Sequence, residues 1–379
     1  MIKRVKSKQV FNFSPGPAKL PEEVMHQAQH DFLEYETTGV SILEMSHRSK
    51  EFAALMNETK KNLRNLMNIP DSYQVLFLQG GGTGQFAAVP LNLRHLSKAD
   101  RPVADYLVTG GWSDKAAKEA KKFVTVNPVF NPPLTEYTRV PEPSHWNLSQ
   151  DAAYVYYCAN ETIHGVEYNA VPETKGIPLV ADISSNILSK PWDVSKHGVL
   201  FAGAQKNIGI AGLTIAVVRD DLIGHSNNEC PSVLDYKAQR GMDSLYNTPP
   251  MFNIYITNLV LKWILDIGGL EEITRRNEQK AKLLYDVIDD SKGFYHCPVE
   301  LDYRSRMNVP FRVGGPEGVK QLEELFLAEA NKLEMVSLKG HRSVGGMRAS
   351  LYNAVTVEET EKLTEFMQDF YAKHGEKEQ

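Results

Sequence analysis

Short apolar runs alternate with longer stretches of mixed polarity from about residue 20 to residue 220. Runs of this length, bounded by glycine and polar residues, are typical of buried strands, and the stretches between them favour helices. Such alternation predicts an α/β domain built on a mainly parallel sheet. The strand-like runs include residues 75–79, 105–109, 154–158, 178–182, 199–204 and 213–218.

The pattern changes beyond this region. Apolar residues recur at helical spacing from Ile256 to Ile267 and stop at Gly268-Gly269, which predicts a long helix followed by a boundary. A polar helix is predicted over about 270–289, and a last helix begins at the capping box that joins Thr356 and Glu359. Short strands are predicted near residues 309–313, 335–339 and 346–352.

These patterns divide the chain into two predicted domains, which the length of 379 residues accommodates. We expect a large domain over residues 20–267. We expect a smaller α+β domain formed by residues 1–19 together with residues 268–379.

Composition narrows the class of protein. Hydrophobic residues make up 42% of the chain, charged residues 23%, and the formal net charge is −5, with no basic stretch interleaved with aromatics. A nucleic-acid partner is therefore not expected. No apolar run approaches the roughly 18 residues of a membrane span, and no continuous apolar stretch follows the basic start at residues 1–8. Three widely separated cysteines suit a reducing compartment, so we expect a cytoplasmic protein without a membrane partner.

Lys206 is the most informative residue for chemistry. It lies between the apolar run 199–201 and the glycine-containing, weakly polar run 208–213. An ammonium among small apolar residues is desolvated, which lowers its pKa and makes the amine a candidate nucleophile for an aldehyde. Asp182 ends the preceding apolar run, 178–181. A lysine and an aspartate at two strand ends are what pyridoxal phosphate needs, since one holds the aldehyde and the other pairs with the ring nitrogen.

A glycine-rich loop at residues 80–84 is the second candidate feature. It directly follows the strand-like run 73–78 and precedes a segment that can open a helix. Glycines let the backbone approach an anion, and the amides of a helix N-terminus point at it, so the loop predicts a phosphate site. No lysine follows as in a Walker loop, and the spacing of a dinucleotide-binding loop is absent. The alternative is a glycine-rich turn with no ligand.

Two further residues follow strand-like runs. Trp112 comes after residues 106–111 and could stack on a flat ring, whereas Thr162 comes after residues 154–161. Each residue alone has an ordinary alternative, since a tryptophan packs in cores, and lysines and aspartates near strand ends are often caps or surface charges. Several candidate ligands at strand ends together favour one cofactor site along a sheet edge.

With these residues assembled, the sequence resembles the phosphoserine aminotransferases, which belong to the class V aminotransferases and to the fold type I pyridoxal phosphate enzymes. The resemblance extends over nearly the whole chain, and its motifs come in the same order. It implies an α/β large domain with a mainly parallel seven-stranded sheet and a smaller C-terminal domain. The matching motifs are residues 12–18, 45–49, 80–84, 159–162, 181–185, 204–209, 247–250 and 341–348.

The resemblance also implies a homodimer with shared sites that bind pyridoxal 5'-phosphate and no metal. Lys206 and Asp182 would be catalytic, and Lys206 would carry the Schiff base and act as general base. The substrate α-carboxylate would bind Arg348. The cofactor would bind Gly82, Thr83, Trp112, Thr162, Asp182, Gln205 and Lys206, with Asn247 and Thr248 supplied by the partner subunit. The pocket for the substrate's side-chain anion would be formed by His47, Arg48, His341 and Arg342.

The implied activity is transamination by a ping-pong mechanism in serine biosynthesis. It would convert 3-phosphohydroxypyruvate and L-glutamate into O-phospho-L-serine and 2-oxoglutarate. Arginines suit such a pocket, because a guanidinium fork binds a phosphate or a carboxylate in bidentate fashion. Other enzymes of the same fold are alternatives, such as an alanine–glyoxylate aminotransferase or a cysteine desulfurase, although neither needs two His-Arg pairs. A non-catalytic protein that binds a phosphate ligand is an alternative from a different class.

Overall fold

The computed structural model describes residues 10–130 and 136–375, and its longer strands overlap the six apolar runs predicted between residues 75 and 218, with ends that differ by up to two residues. The strands are β1 Phe11–Asn12, β2 Tyr73–Leu78, β3 Val103–Leu107, β4 Thr125–Pro128, β5 Ala152–Cys158, β6 Leu179–Asp182, β7 Val199–Gly203, β8 Thr214–Arg219, β9 Tyr295–His296, β10 Asn308–Val313, β11 Met335–Val336 and β12 Met347–Ser350. The α-helices are α1 Glu22–Asp31, α2 Lys50–Met67, α3 Gly81–Leu93, α4 Gly111–Ala120, α5 Tyr236–Gly241, α6 Met251–Asp266, α7 Gly269–Asp289, α8 Lys320–Lys332 and α9 Val357–His374.

A seven-stranded sheet in the order β2-β8-β7-β6-β5-β3-β4 forms the centre of the larger part. Only β8 runs antiparallel to its neighbours, so the predicted mainly parallel sheet is confirmed. Every residue of β5 and β6 is buried, as expected for central strands covered on both faces. The edge strand β4 was not among the predicted runs, because its residues are exposed or half-buried.

Two small sheets lie outside the large one, and one of them joins an early segment of the chain to a late one. Strand β1 pairs in parallel with β11, and β10 lies between β9 and β12. Helix α9 packs against α7 and begins with the predicted capping box between Thr356 and Glu359. The predicted small domain combines both chain termini, and these pairings agree with it, while its boundaries at residues 19 and 268 stay predictions. No helix within the described ranges is long and apolar enough to cross a membrane.

The parallel strands place one set of loops at one edge of the sheet. The carboxyl ends of β2, β3, β5, β6 and β7 all point to that edge, because these strands run in the same direction. The loops that follow them carry the glycine run, Trp112, Thr162, Asp182 and Lys206. A ligand site is expected where such loops converge.

Candidate active site

A cavity of about 280 Å³ opens at this edge of the sheet. Its walls are the loops after the five strands just named, so residues far apart in sequence meet in one place. Seven of the nine residues predicted to bind the cofactor line it, namely Gly82, Thr83, Trp112, Thr162, Asp182, Gln205 and Lys206.

Lys206 follows β7 and points its amine into the cavity. The Nζ atom donates a hydrogen bond to Oγ1 of Thr162 at 2.7 Å and lies 5.6 Å from the centre of the Trp112 ring. Burial lowers the pKa of the Lys206 ammonium, and the carboxylate of Asp182 opposes that change. The amine is therefore easier to deprotonate than a lysine in water, as a nucleophile or base requires.

Asp182 ends β6 and is buried. Its Oδ1 accepts a hydrogen bond from the backbone N–H of Ser184 at 2.9 Å. Burial raises the pKa of this carboxyl group, since the charged form is poorly solvated there. A cationic N–H placed in the cavity would compensate the buried charge, so the residue fits the ring nitrogen of pyridoxal phosphate.

The N-terminus of α3 faces the same cavity. Gly80 and Gly81 adopt positive φ angles of 94° and 66°, and no side chain caps the helix. A Cβ atom at Gly82 would lie 3.4 Å from Oγ of Ser184 and 3.8 Å from Oδ2 of Asp182, so the backbone at Gly82 directly faces the cavity. Uncapped backbone N–H groups at a helix N-terminus fit a phosphate group.

Trp112 stands at the start of α4, where a buried carboxylate holds the backbone. Glu161 accepts hydrogen bonds from the backbone N–H groups of Trp112 and Ser113, both at 2.9 Å. Burial raises the pKa of Glu161 to about 7. The buried indole Nε1 has no hydrogen-bond partner among the described residues, and Nζ of Lys115 lies 4.2 Å from the ring centre.

Arg348 on β12 is a buried cation that forms no ion pair within the described part of the chain. Its side chain is 6% exposed, and Nη1 donates to the carbonyl oxygen of Thr162 at 3.1 Å. The buried Nε has no hydrogen-bond partner there. Burial lowers the pKa of this guanidinium. This guanidinium is desolvated, has unused N–H donors and lies next to Thr162, to which Lys206 also donates. These properties fit a carboxylate ligand.

His341 and Arg342 lie on the loop before β12. Arg342 is exposed, and His341 is partly buried. Burial lowers the pKa of His341, and the positive charges of Arg348, Lys115 and Arg342 lower it further. The structure thus collects cations at one side of the cavity, where an anionic substrate would be attracted.

Seven predicted residues do not line the cavity of their own chain, namely the three cations just described, Arg348, His341 and Arg342, and also His47, Arg48, Asn247 and Thr248. His47 and Arg48 lie just before α2, and Arg48 is exposed. Asn247 and Thr248 are also exposed, although the carbonyl of Thr248 accepts a hydrogen bond at 3.0 Å from Gln79, next to the glycine loop. Their predicted roles stay predictions.

Three contacts near the cavity were not identified from the sequence as site contacts. Glu161 was noted only within a motif, but it fixes the start of α4. Gly16 packs against Lys206, since a Cβ atom there would lie 3.2 Å from Cγ of the lysine. Ser184 accepts a hydrogen bond from the backbone N–H of Gly203 at 3.1 Å. The matching motifs at 12–18, 159–162 and 181–185 were the only signals of these contacts.

Known proteins share this architecture. A family model for class-V aminotransferases matches residues 10–363. A probable phosphoserine aminotransferase of Caenorhabditis elegans is 56% identical over 366 residues, covering 96% of this chain and 98% of its own length. The phosphoserine aminotransferase structure from Bacillus circulans subsp. alkalophilus has a TM-score of 0.92 at 44% identity, covering 97% of this chain and 100% of that chain.

A pyridoxal phosphate-bound phosphoserine aminotransferase from Trichomonas vaginalis has a TM-score of 0.90 at 38% identity. The match covers 95% of this chain and 100% of that chain. The family match and these similarities extend over both the large sheet and the C-terminal strands. The chain belongs to the class-V aminotransferase family.

Proposed function

We propose that this protein is a pyridoxal phosphate-dependent phosphoserine aminotransferase of serine biosynthesis. It interconverts 3-phosphohydroxypyruvate plus L-glutamate and O-phospho-L-serine plus 2-oxoglutarate. The observation that carries the proposal is one cavity that combines a desolvated lysine, a buried aspartate and an uncapped helix N-terminus. The unpaired Arg348 beside it supports an amino-acid substrate, and the relatives described above support the phosphorylated one.

The residues fit the cofactor group by group. The phosphate would be held by backbone N–H groups at Gly82 and Thr83, the ring would lie beside Trp112, and the ring nitrogen would pair with Asp182. Lys206 would hold the aldehyde carbon. When bound, pyridoxal phosphate supplies an electron-accepting ring that stabilises negative charge at the substrate α-carbon.

Lys206 moves the proton in this mechanism. Its lowered pKa leaves a larger fraction of free amine near neutral pH than an exposed lysine has. The hydrogen bond to Thr162 fixes the position of the amine. The free amine takes the proton from the substrate α-carbon and returns it on the other side of the reaction, as a general base and then a general acid.

Asp182 and Arg348 supply the fixed charges. Asp182 keeps the ring nitrogen protonated, because its buried carboxylate is stabilised by that positive charge. Arg348 binds the α-carboxylate that all four substrates share, and so orients the α-carbon toward Lys206. His341 and Arg342 bind the phosphate of phosphoserine or the side-chain carboxylate of glutamate.

We also infer a homodimer with shared sites. In this dimer Asn247 and Thr248, which are exposed and do not line the cavity of their own chain, would contact the cofactor phosphate bound in the other copy. Exposed apolar side chains precede His47, namely Phe32, Leu33, Val40 and Leu43, and Leu33 is 83% exposed. Burying such residues against a second copy would be favourable. The three cysteines are free and buried, which supports a cytoplasmic location.

Spectra and turnover test the function. The purified protein with pyridoxal phosphate should absorb visible light, and L-glutamate should change that spectrum. Turnover with 3-phosphohydroxypyruvate should exceed turnover with glyoxylate or pyruvate. Lys206→Ala should lose both the glutamate-dependent change and turnover. A preference for glyoxylate would instead identify an alanine–glyoxylate aminotransferase, and activity retained by Lys206→Ala would refute the lysine assignment.

Mixed dimers test the shared site. A Lys206→Ala chain and an Asn247→Ala/Thr248→Ala chain, each poorly active alone at limiting cofactor, are combined with different tags. One of the two sites in such a heterodimer has all three residues unmutated if they come from different chains. Activity should then return in purified heterodimers. Heterodimers that stay inactive would show that each chain supplies its own ligands.

A further inference from the structure

Lys280 on α7 is a lysine with no exposed surface. Its Nζ donates to three backbone carbonyl oxygens, those of Leu351, Tyr352 and Val355, each at 2.9 Å. An ammonium has three N–H donors, so the three carbonyls use all of them. The side chain therefore ties the middle of a long helix to the turn formed by residues 351–355.

Fold stability alone is a poor explanation for this lysine. Burial lowers its pKa to about 7, only Glu359 opposes that change electrostatically, and the positive charges of Lys19 and Arg276 add to it. No carboxylate lies within ion-pair distance of Lys280 in the described part of the chain. An apolar side chain would avoid the desolvation of a charge, although it would leave three carbonyl oxygens without the lysine as a donor.

The turn held by Lys280 directly follows the strand that carries Arg348. The backbone N–H of Leu351 donates to the carbonyl oxygen of Met307 at 2.7 Å, which fixes where β12 ends. Neighbouring Asn353 receives a hydrogen bond at 2.9 Å from Asn277, three residues before Lys280 on α7. One face of this helix thus holds the turn at several points.

The same turn also contacts the surroundings of Lys206. The backbone N–H of Asn353 donates to Oδ1 of Asn207, the residue after Lys206, at 3.0 Å. The hydroxyl of Tyr352 donates to the carbonyl oxygen of Pro15 at 2.8 Å. Pro15 precedes Gly16, which packs against the Lys206 side chain. The turn therefore follows the strand of Arg348 in sequence and bonds to residues next to Lys206.

We propose that Lys280 is a positioning residue, whose ammonium fixes the turn 351–355 and thereby the placement of Arg348 relative to Lys206. The inference rests on the proposed roles of these two residues. A carboxylate held slightly out of place presents the α-carbon poorly to the base, and misplacement on the scale of 1 Å costs up to about a hundredfold in rate. Lys280 itself touches neither substrate nor cofactor.

The variants Lys280→Met and Lys282→Met test this role. Lys282 is two residues away on the same helix, is exposed and pairs with Asp286 at 2.6 Å, so it is the matched control. Lys280→Met should lower kcat/KM by roughly tenfold or more for both L-glutamate and 3-phosphohydroxypyruvate. Most of the change should be in kcat, because a carboxylate bound out of place leaves the α-carbon poorly placed for proton transfer to Lys206. The visible spectrum of the bound cofactor should stay that of the wild type, and Lys282→Met should match the wild type throughout.

A purely structural lysine gives a different result. If Lys280→Met melts at a lower temperature but keeps both KM values and kcat in its folded fraction, the proposal is wrong. Should that variant not fold, Lys280→Gln, which keeps two N–H donors, is measured with the same two outcomes. A wild-type enzyme that does not turn over these substrates would contradict the proposed function instead, before any variant is compared.

Discussion

Replacing Arg348 by methionine should separate substrate binding from fold stability. The guanidinium is 6% exposed and bonds one carbonyl oxygen at 3.1 Å, with no acidic partner among the described residues. In the proposed function its free donors bind the substrate carboxylate. Losing one partner of a buried charge pair costs about 3–5 kcal/mol, so kcat/KM should fall by roughly 150- to 4,000-fold.

In the absence of substrate, the Arg348→Met protein should be no less stable than the wild type. Methionine removes an unpaired buried charge, which favours the folded state, and leaves the carbonyl of Thr162 without a donor, which costs about 1–3 kcal/mol. These effects oppose each other, so the free energy of unfolding should stay near the wild-type value or rise. Arg304→Met is the contrast, since Arg304 binds Asp289 through two hydrogen bonds of 2.7 and 2.9 Å. That variant should unfold more easily and keep its kcat/KM.

Steady-state kinetics with both substrates and urea unfolding of the cofactor-loaded protein provide the measurements. Both the amino acid and the 2-oxo acid carry the α-carboxylate, so both kcat/KM values should fall together. A fall for only one substrate would place Arg348 in the side-chain pocket. Unchanged values for both would refute its role altogether.

Three other changes test separate parts of the site. Asp182→Asn should keep bound cofactor but lower kcat by roughly a hundredfold or more, because a neutral amide does not hold the ring nitrogen protonated; an unchanged kcat would contradict its role. Gly110→Ala should lower the free energy of unfolding, measured in urea, by about 1–3 kcal/mol, because its Cβ would lie 2.3 Å from Cδ of Glu161. The control Gly241→Ala meets no atom within 4 Å and should be near neutral. Equal stability of both variants would show that Glu161 moves freely. Burial lowers the pKa of Lys206, so its amine should be fully deprotonated well below the usual lysine pKa of about 10.4. The rate at which the cofactor-free chain takes up pyridoxal phosphate, followed by absorbance, should therefore reach its plateau below that pH. A rate that still rises at that pH would contradict the lowered pKa.

The sheet could be predicted because its central strands are buried on both faces. Runs such as Ala152–Cys158 are apolar throughout and end at glycine or polar residues, so the sequence marks them clearly. Strand β4 has no such run. Residues Thr125–Pro128 are partly exposed and pair with β3 at the edge of the sheet. Their extended form therefore depends on the pairing with β3 and not on a hydrophobic pattern in their own sequence.

The strand-end residues could be predicted because parallel strands bring their carboxyl ends together. The supporting contacts could not. Glu161 acts on α4 only because Gly110 lets it approach, across about fifty positions of sequence. Lys280 lies in a helix that the sequence describes only as polar, and its partners are backbone carbonyls, which any residue carries. Asn247 and Thr248 were assigned to a partner subunit by resemblance alone.

The pairing of the first residues with the last has a consequence during protein synthesis. Lys19 binds Glu359 at 2.7 Å across 340 positions of sequence, and β1 pairs with β11. At 5–20 residues per second, roughly 20 to 70 seconds separate the emergence of these partners from the ribosome. During that interval Phe13, fully buried in the finished fold, cannot form its backbone hydrogen bonds with Val336 and Ser350.

The residues around Gly16, which pack against Lys206, therefore gain their C-terminal partners only near the end of translation. A chain that stops before α9 contains every strand of the large sheet, together with Lys206 and Asp182, but lacks Glu359, to which Lys19 binds. Such a truncated product keeps β11, with which β1 pairs, but loses the packing of α9 on α7. It should therefore unfold more easily than the complete chain and be removed by proteases.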